Sequence, residues 1–216
     1  TLDAIGILTI IGENYNKTII DGTSTSTFFS TTISNKILSL NFVNLTFNNF
    51  ASDAFQKAGV MTSQAGKTII NDCIFTDCFS KEYVGALSVS NLIMDNCIFE
   101  KIISDLSAGE GAITTKNATI TNSIFKDIIV GGGKRTQVEK GYSYLSGAII
   151  VYTFNKDETA YLYSANNKFV NITSKYYGGA ISFSVKASSF GLGYGVSIND
   201  TFINNTAQYG GAIFGN

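Results

Sequence analysis

One short phrase recurs along the chain: Gly-Ala-aliphatic, a strand-like run, then Asn-x-x-Phe. Gly-Ala pairs fall at Gly85-Ala86, Gly111-Ala112, Gly147-Ala148, Gly179-Ala180 and Gly211-Ala212, with Gly59-Val60 as a weaker first copy. Before and between them stand Phe47, Phe75, Phe99, Phe125, Phe169 and Phe202. Three residues before each Phe comes Asn44, Asp72, Asn96, Asn122, Asn166 or Asn199. The tightest spacings are 24, 26 and 26 residues. A period of this length, built from strand-like runs and turn residues, is the mark of a solenoid.

A single repeat, residues 85–110, shows how one coil is made. Gly85-Ala86-Leu87-Ser88-Val89 alternates like a half-buried strand. Asn91 to Asp95 forms a second strand, and Asn96-Cys97-Ile98-Phe99 turns into a third that ends near Ile103. The sequence therefore predicts an all-β fold, a right-handed single-stranded parallel β-helix. It has about three short strands per coil and roughly seven to eight coils. Pro is absent from all 216 residues, as suits strands whose N–H groups serve neighbours on both sides. The whole chain, 1–216, reads as one domain and as part of something longer. Residues 131–146 break the beat and are expected to protrude as an insertion loop.

The pattern also assigns faces. Gly85, Leu87 and Val89 share a parity with Gly111, Ile113 and Thr115, and that parity should point inward. The opposite one, Ala86, Ala112, Ala148 and Ala180 followed by Ser88, Thr114, Ile150 and Ser182, should make a flat outer strip suited to another surface or a covering loop. The Phe column reads as a core stack, with burial of each ring worth roughly 1.5–3 kcal/mol. The Asn column reads as a ladder at a bend, because Asn tolerates left-handed backbone.

Composition narrows the function. Fifteen basic and sixteen acidic residues give a net charge of −1, with a single Arg and no His. A nucleic-acid binder should show a basic stripe, and none is present. No segment reaches the roughly 18 apolar residues of a membrane span. Charged residues make up only 14% of the chain, so Asn, Ser, Thr and Gly cover the surface, as suits an extracellular protein. Three cysteines are few and odd in number. Cys73 and Cys97 should stack on adjacent coils as buried thiols, with Ser123 next in line; a Cys73–Cys97 or Cys73–Cys78 disulfide is the alternative. No ligand set for a metal or cofactor stands out.

Nine of the eleven tyrosines lie beyond residue 140. With their rigid bodies and polar tips they make good contact residues. Tyr142, Tyr144, Tyr152, Tyr176, Tyr177 and Tyr194, with Arg135, are the candidate binding surface. Asn16, Asn44, Asn117, Asn171, Asn199 and Asn204 each open an N-x-Ser/Thr sequon. Asn44 and Asn199 also belong to the ladder and are expected to be buried and unmodified. That leaves Asn16, Asn117, Asn171 and Asn204 as candidate glycosylation sites.

Ile198-Asn199-Asp200-Thr201-Phe202-Ile203-Asn204-Asn205-Thr206-Ala207, followed by Gly210-Gly211-Ala212-Ile213, resembles the adhesin-like surface proteins of methanogenic archaea. More loosely, it is similar to the GGA[ILV] and FxxN repeats of the chlamydial polymorphic outer-membrane proteins. The resemblance spans essentially the whole chain. It implies a cell-surface β-helix that presents loops to glycans or proteins. Departures are visible: only Phe202 is followed by Asn at the third position, and Gly-Gly-Ala-Ile occurs only at 178–181 and 210–213.

An enzyme is the less favoured reading. A glycosidase needs two carboxylates about 5–9.5 Å apart, and a lyase needs acidic calcium ligands beside a base. The sixteen acids are scattered, with Asp105 and Glu110 in one return turn and Asp157 and Glu158 in a loop. The sequence thus predicts a non-catalytic adhesin-like module with a cell-surface glycan or protein as partner. The alternative is a structural subunit that stacks on further copies of itself through its coil ends into a fibre or coat, since open strand edges template another strand.

Overall fold

The computed structural model describes residues 5–24, 27–30, 37–53, 57–81, 83–105, 110–131, 147–153, 158–185 and 192–215. Arg135, Tyr142, Tyr144 and residues 132–146 of the expected insertion lie outside them. Among the described residues the fold is all-β, without a helix. Every paired strand runs parallel to its partner, in three sheets of twelve, seven and five strands. This arrangement is compatible with a β-helix.

Each sheet collects one part of the repeat. In the repeat at 85–110 the chain runs Leu87–Asp95 in the twelve-stranded sheet, Ile98–Glu100 in the seven-stranded one and Ile103–Ser104 in the five-stranded one. The expected third strand is thus split in two. Lys101 causes the split: its φ of 53° turns the chain, and no regular strand can pass through it. Asn49, Asp77, Asp127, Asn171 and Asn204 hold the same conformation at the equivalent place in other repeats. The first bend is the foreseen ladder, with φ between 50° and 58° at Asn44, Asp72, Asn96, Asn122, Asn166 and Asn199. Two corners per repeat are therefore built from left-handed residues five positions apart.

The side chains of the first ladder point out rather than in. Asn96, Asn122, Asn166 and Asn199 are exposed and Asn44 is half-buried, which corrects the expectation that Asn44 and Asn199 are buried. A bend that closes around the core leaves its side chains on the convex side. There they link repeats: Asn96 donates to Asp72 at 2.6 Å and Asn199 to Asn166 at 3.5 Å.

The core is the aromatic stack. Phe47, Phe75, Phe99, Phe125, Phe169 and Phe202 follow one another with ring centroids 4.9, 4.4, 5.2, 5.0 and 5.1 Å apart and nearly parallel planes. Their alignment follows from register, since Phe75, Phe99 and Phe125 are direct partners across parallel strands. Offset stacking adds about 0.5–1.5 kcal/mol per pair to their burial.

Beside the rings runs a column that changes character along the chain: Cys73, Cys97, Ser123, Asn167, Asp200. The N–H of Cys97 donates to Ser123 Oγ at 3.1 Å, that of Ser123 to Asn167 Oδ1 at 2.8 Å, and that of Asn167 to Asp200 Oδ1 at 2.8 Å. Each corner N–H in this series is satisfied by the side chain one repeat on. All three cysteines are free and buried, so neither disulfide alternative forms. Burial pushes the Cys73 thiol up to about 11 and that of Cys78 up to about 12, and raises Cys97 as well.

The alanine strip departs from expectation. Ala86, Ala112, Ala148 and Ala180 are fully buried and belong to the core, and Thr114, Ile150 and Ser182 are buried too. The chain turns sharply at these alanines: the N–H groups of Ala86 and Leu87 both donate to the carbonyl of Ala112. The alanines precede the strand proper, so simple alternation does not reach them, whereas Thr114, Ile150 and Ser182 lie within strands and are buried on the parity opposite to Ile113, Ile149 and Ile181.

Candidate functional site

Alternation along Leu87–Asp95 slips by one residue in mid-strand. Leu87 and Val89 are buried, then Leu92 and Met94, with Ser90 and Asn91 both half-buried between them. The same slip recurs in Ile113–Thr121, where Thr115 Oγ1 donates to Ser90 O at 3.3 Å. At the slip lies a cleft of ≈ 530 Å³.

Its lining comes from consecutive repeats in register. Ser88 faces Thr62 on one side and Thr114 on the other. Ser90, Asn91 and Lys116 continue the wall, and Tyr83 and Tyr152 close it. Lys116 is paired with Glu158 at 2.9 Å, so the charge within the cleft is balanced. The Tyr83 hydroxyl lies 3.3 Å from Ser88 Oγ, which donates to it.

Glu110 adjoins this wall, its backbone carbonyl accepting from Thr114 Oγ1 at 3.3 Å. Its Oε2 is enclosed and has no hydrogen-bond partner among the described residues, while another part of the residue still meets solvent. Burial pushes its carboxyl up to about 7. Burial also raises the Tyr83 and Tyr152 phenols, and the charge of Glu110 adds to both effects. The two rings consequently stay neutral hydrogen-bonding groups across the physiological range.

The residues singled out from the sequence are dispersed. Tyr152 lines the cleft. Tyr194 is 55% exposed on the outer face, in register with Tyr161. Tyr177 stacks on Tyr209 at 5.2 Å, and Lys175 lies over the Tyr176 ring; neither Tyr176 nor Tyr177 lines the cleft. Among the sequons, Asn16, Asn171 and Asn204 are exposed and Asn117 is half-buried; Asn117 donates to Asn91, Asn171 to Asp127 and Asn204 to Asn171.

Sequence reasoning missed Tyr83, Ser88, Asn91 and the Lys116–Glu158 pair as members of one site. A faint signal existed, because Tyr83 and Glu110 sit just before the Gly-Ala pairs of successive repeats. No protein-family model matches this chain, and no curated protein sequence or solved structure does either.

Proposed function

We propose that the chain is a non-catalytic, adhesin-like module of a cell surface and that it binds a glycan in the cleft beside Ser88, Ser90 and Asn91. The finer architecture belongs to the same reading: a right-handed single-stranded parallel β-helix with about three short strands per coil. It is supported by parallel register that advances by one repeat in all three sheets.

The observation that carries the binding reading is the chemistry of the cleft wall. Ser88, Ser90 and Thr62, with Asn91 and two neutral tyrosines, line one concavity. Sugars present alternating hydroxyl and C–H faces, which such a wall meets with hydrogen bonds and aromatic contact. A non-catalytic role is supported by the carboxylates: Glu158 in the lining is held by Lys116, and Glu110, its Oε2 enclosed, is not among the lining residues.

The test is a glycan array probed with the purified protein and with Ser90→Arg, which places a bulky cation in the cleft. Binding by the first and loss by the second is the expected result. Equal binding by both would move the site elsewhere, and new reducing ends released from a bound glycan would overturn the non-catalytic reading.

A second reading, end-to-end stacking into a fibre or coat, draws on the strand edges. Ile5–Ile11 and Ile213–Gly215 each pair on one side only among the described residues. Such an edge accepts a further parallel strand, from the same chain or from a copy. Filaments under the electron microscope across a concentration series would favour it, and dispersed short particles would count against it.

A further inference from the structure

The cleft does not end at Asn91. A second groove of ≈ 260 Å³ shares Asn91 with it and continues over Lys67, Ile93, Asn117, Thr119 and Tyr161. Strand register places Asn91, Asn117, Tyr161 and Tyr194 as successive direct partners, so the four form one column along the stacking axis. Neighbouring strands lie about 4.8 Å apart, so the column runs for roughly 14 Å. Resting on the glycan reading of the cleft, we propose that the ligand is a neutral, linear polysaccharide that leaves the cleft past Asn91 and Asn117 and lies along the axis over Tyr161 and Tyr194.

Three observations carry this. First, the column is preorganised at its amide end. Asn91 Nδ2 donates to Gly66 O and Asn117 Nδ2 to Asn91 Oδ1, both at 2.8 Å. An amide has two N–H donors, so one bond per residue fixes the group and leaves a second N–H to meet a ligand. Second, the aromatic end is exposed, Tyr161 by 39% and Tyr194 by 55%. The next outward column runs Ile93, Thr119, Tyr163 and Val196, with Ile93 and Val196 exposed as well. Tyrosine beside aliphatic surface suits the C–H faces of a sugar chain.

The third observation concerns charge. A polyanionic glycan carries a charge on each acidic residue and asks for cations spaced along its path. Here the column offers two amides and two phenols, Lys116 is already paired with Glu158, and Lys67 is the single charged residue lining the second groove. The match is to an uncharged polymer with a repeat along the axis.

The test is affinity gel electrophoresis and calorimetry with soluble neutral β-glucan, mannan and xylan, with polygalacturonate as the polyanion, and with the disaccharide of whichever neutral polymer binds. The expected result is retardation by a neutral polymer and not by polygalacturonate. Tyr161→Ala and Tyr194→Ala should each weaken polymer binding by about tenfold, because an aromatic contact is lost. Binding of the disaccharide in the cleft should be unchanged by either substitution. Both side chains are surface-exposed, and an unchanged circular dichroism spectrum confirms that the variants fold. Polymer affinity equal to that of the disaccharide and indifferent to both substitutions would overturn the track and leave the cleft standing. Stronger binding of polygalacturonate would overturn the neutral class. Absence of binding to every glycan would sink the cleft reading and the track together.

Discussion

Asn117 donates its side-chain amide to Oδ1 of Asn91 across 2.8 Å, one repeat away and in direct register. The bond ties together two strands at the edge of the cleft. It also engages the atom that a glycosyl transfer to the Asn117 sequon would need.

Accessibility therefore separates the sequons. Asn16, Asn171 and Asn204 are exposed, the last two with their amide nitrogens bonded to neighbouring repeats, whereas Asn117 is half-buried as well as bonded. When the folded protein is offered to an oligosaccharyltransferase, peptide mapping should find glycan on Asn16 and none on Asn117. Modification of Asn117 at a comparable level would show that the ladder opens readily.

The polar end of the Cys73–Asp200 column gives a stability prediction. Asn167 is 1% exposed; it accepts from the Ser123 N–H and donates to Ile120 O and Ser164 Oγ. Asn167→Ala strands a buried N–H and two acceptors, which should cost about 1–3 kcal/mol in urea denaturation. A loss below about 0.5 kcal/mol would mean that the corner relaxes to find other partners.

Close approach between repeats makes a second one. A Cβ on Gly179 would collide with the carbonyl of Gly211, whereas one on Gly6 meets nothing within 4 Å. Gly179→Ala should destabilise by about 1–3 kcal/mol through overpacking. Gly6→Ala should stay within about 0.5 kcal/mol of the parent. Equal effects would show that the Gly-Ala corners have slack.

Glu110 links stability to pH. Its folded carboxyl is pushed up to about 7 from 4.5 by burial. The folded state thus holds the proton more tightly than the unfolded chain does. The contribution is fully present below pH 4.5 and is lost as pH rises to about 7, where the buried group must ionise. The span corresponds to about 3 kcal/mol. Glu110→Gln should flatten this part of the stability profile, and an unchanged slope would place its origin in other groups.

The repeat is legible in the amino-acid sequence alone. Phe47, Phe75, Phe99, Phe125, Phe169 and Phe202 align by spacing, and the Asn three residues earlier marks a left-handed corner. Both depend on local chemistry: a large apolar ring must be buried, and few residues other than Gly and Asn tolerate positive φ. The second corner is harder to see because Lys101 stands in a column otherwise made of Asn and Asp. Its conformation is imposed by the corners stacked above and below it.

The site is less legible for a related reason. Ser88, Asn91, Lys116, Tyr152 and Glu158 come from different repeats, and nothing in their sequence spacing says that they converge. The amino-acid sequence determined the period, the parallel stacking and the core column, since each follows from side-chain size and backbone preference within one repeat. Only the tertiary structure decided that burial alternation slips at Ser90, that the alanines join the core and that a cleft opens across neighbouring repeats. Those features depend on how one repeat packs on the next, and register between repeats is set by the whole stack of contacts.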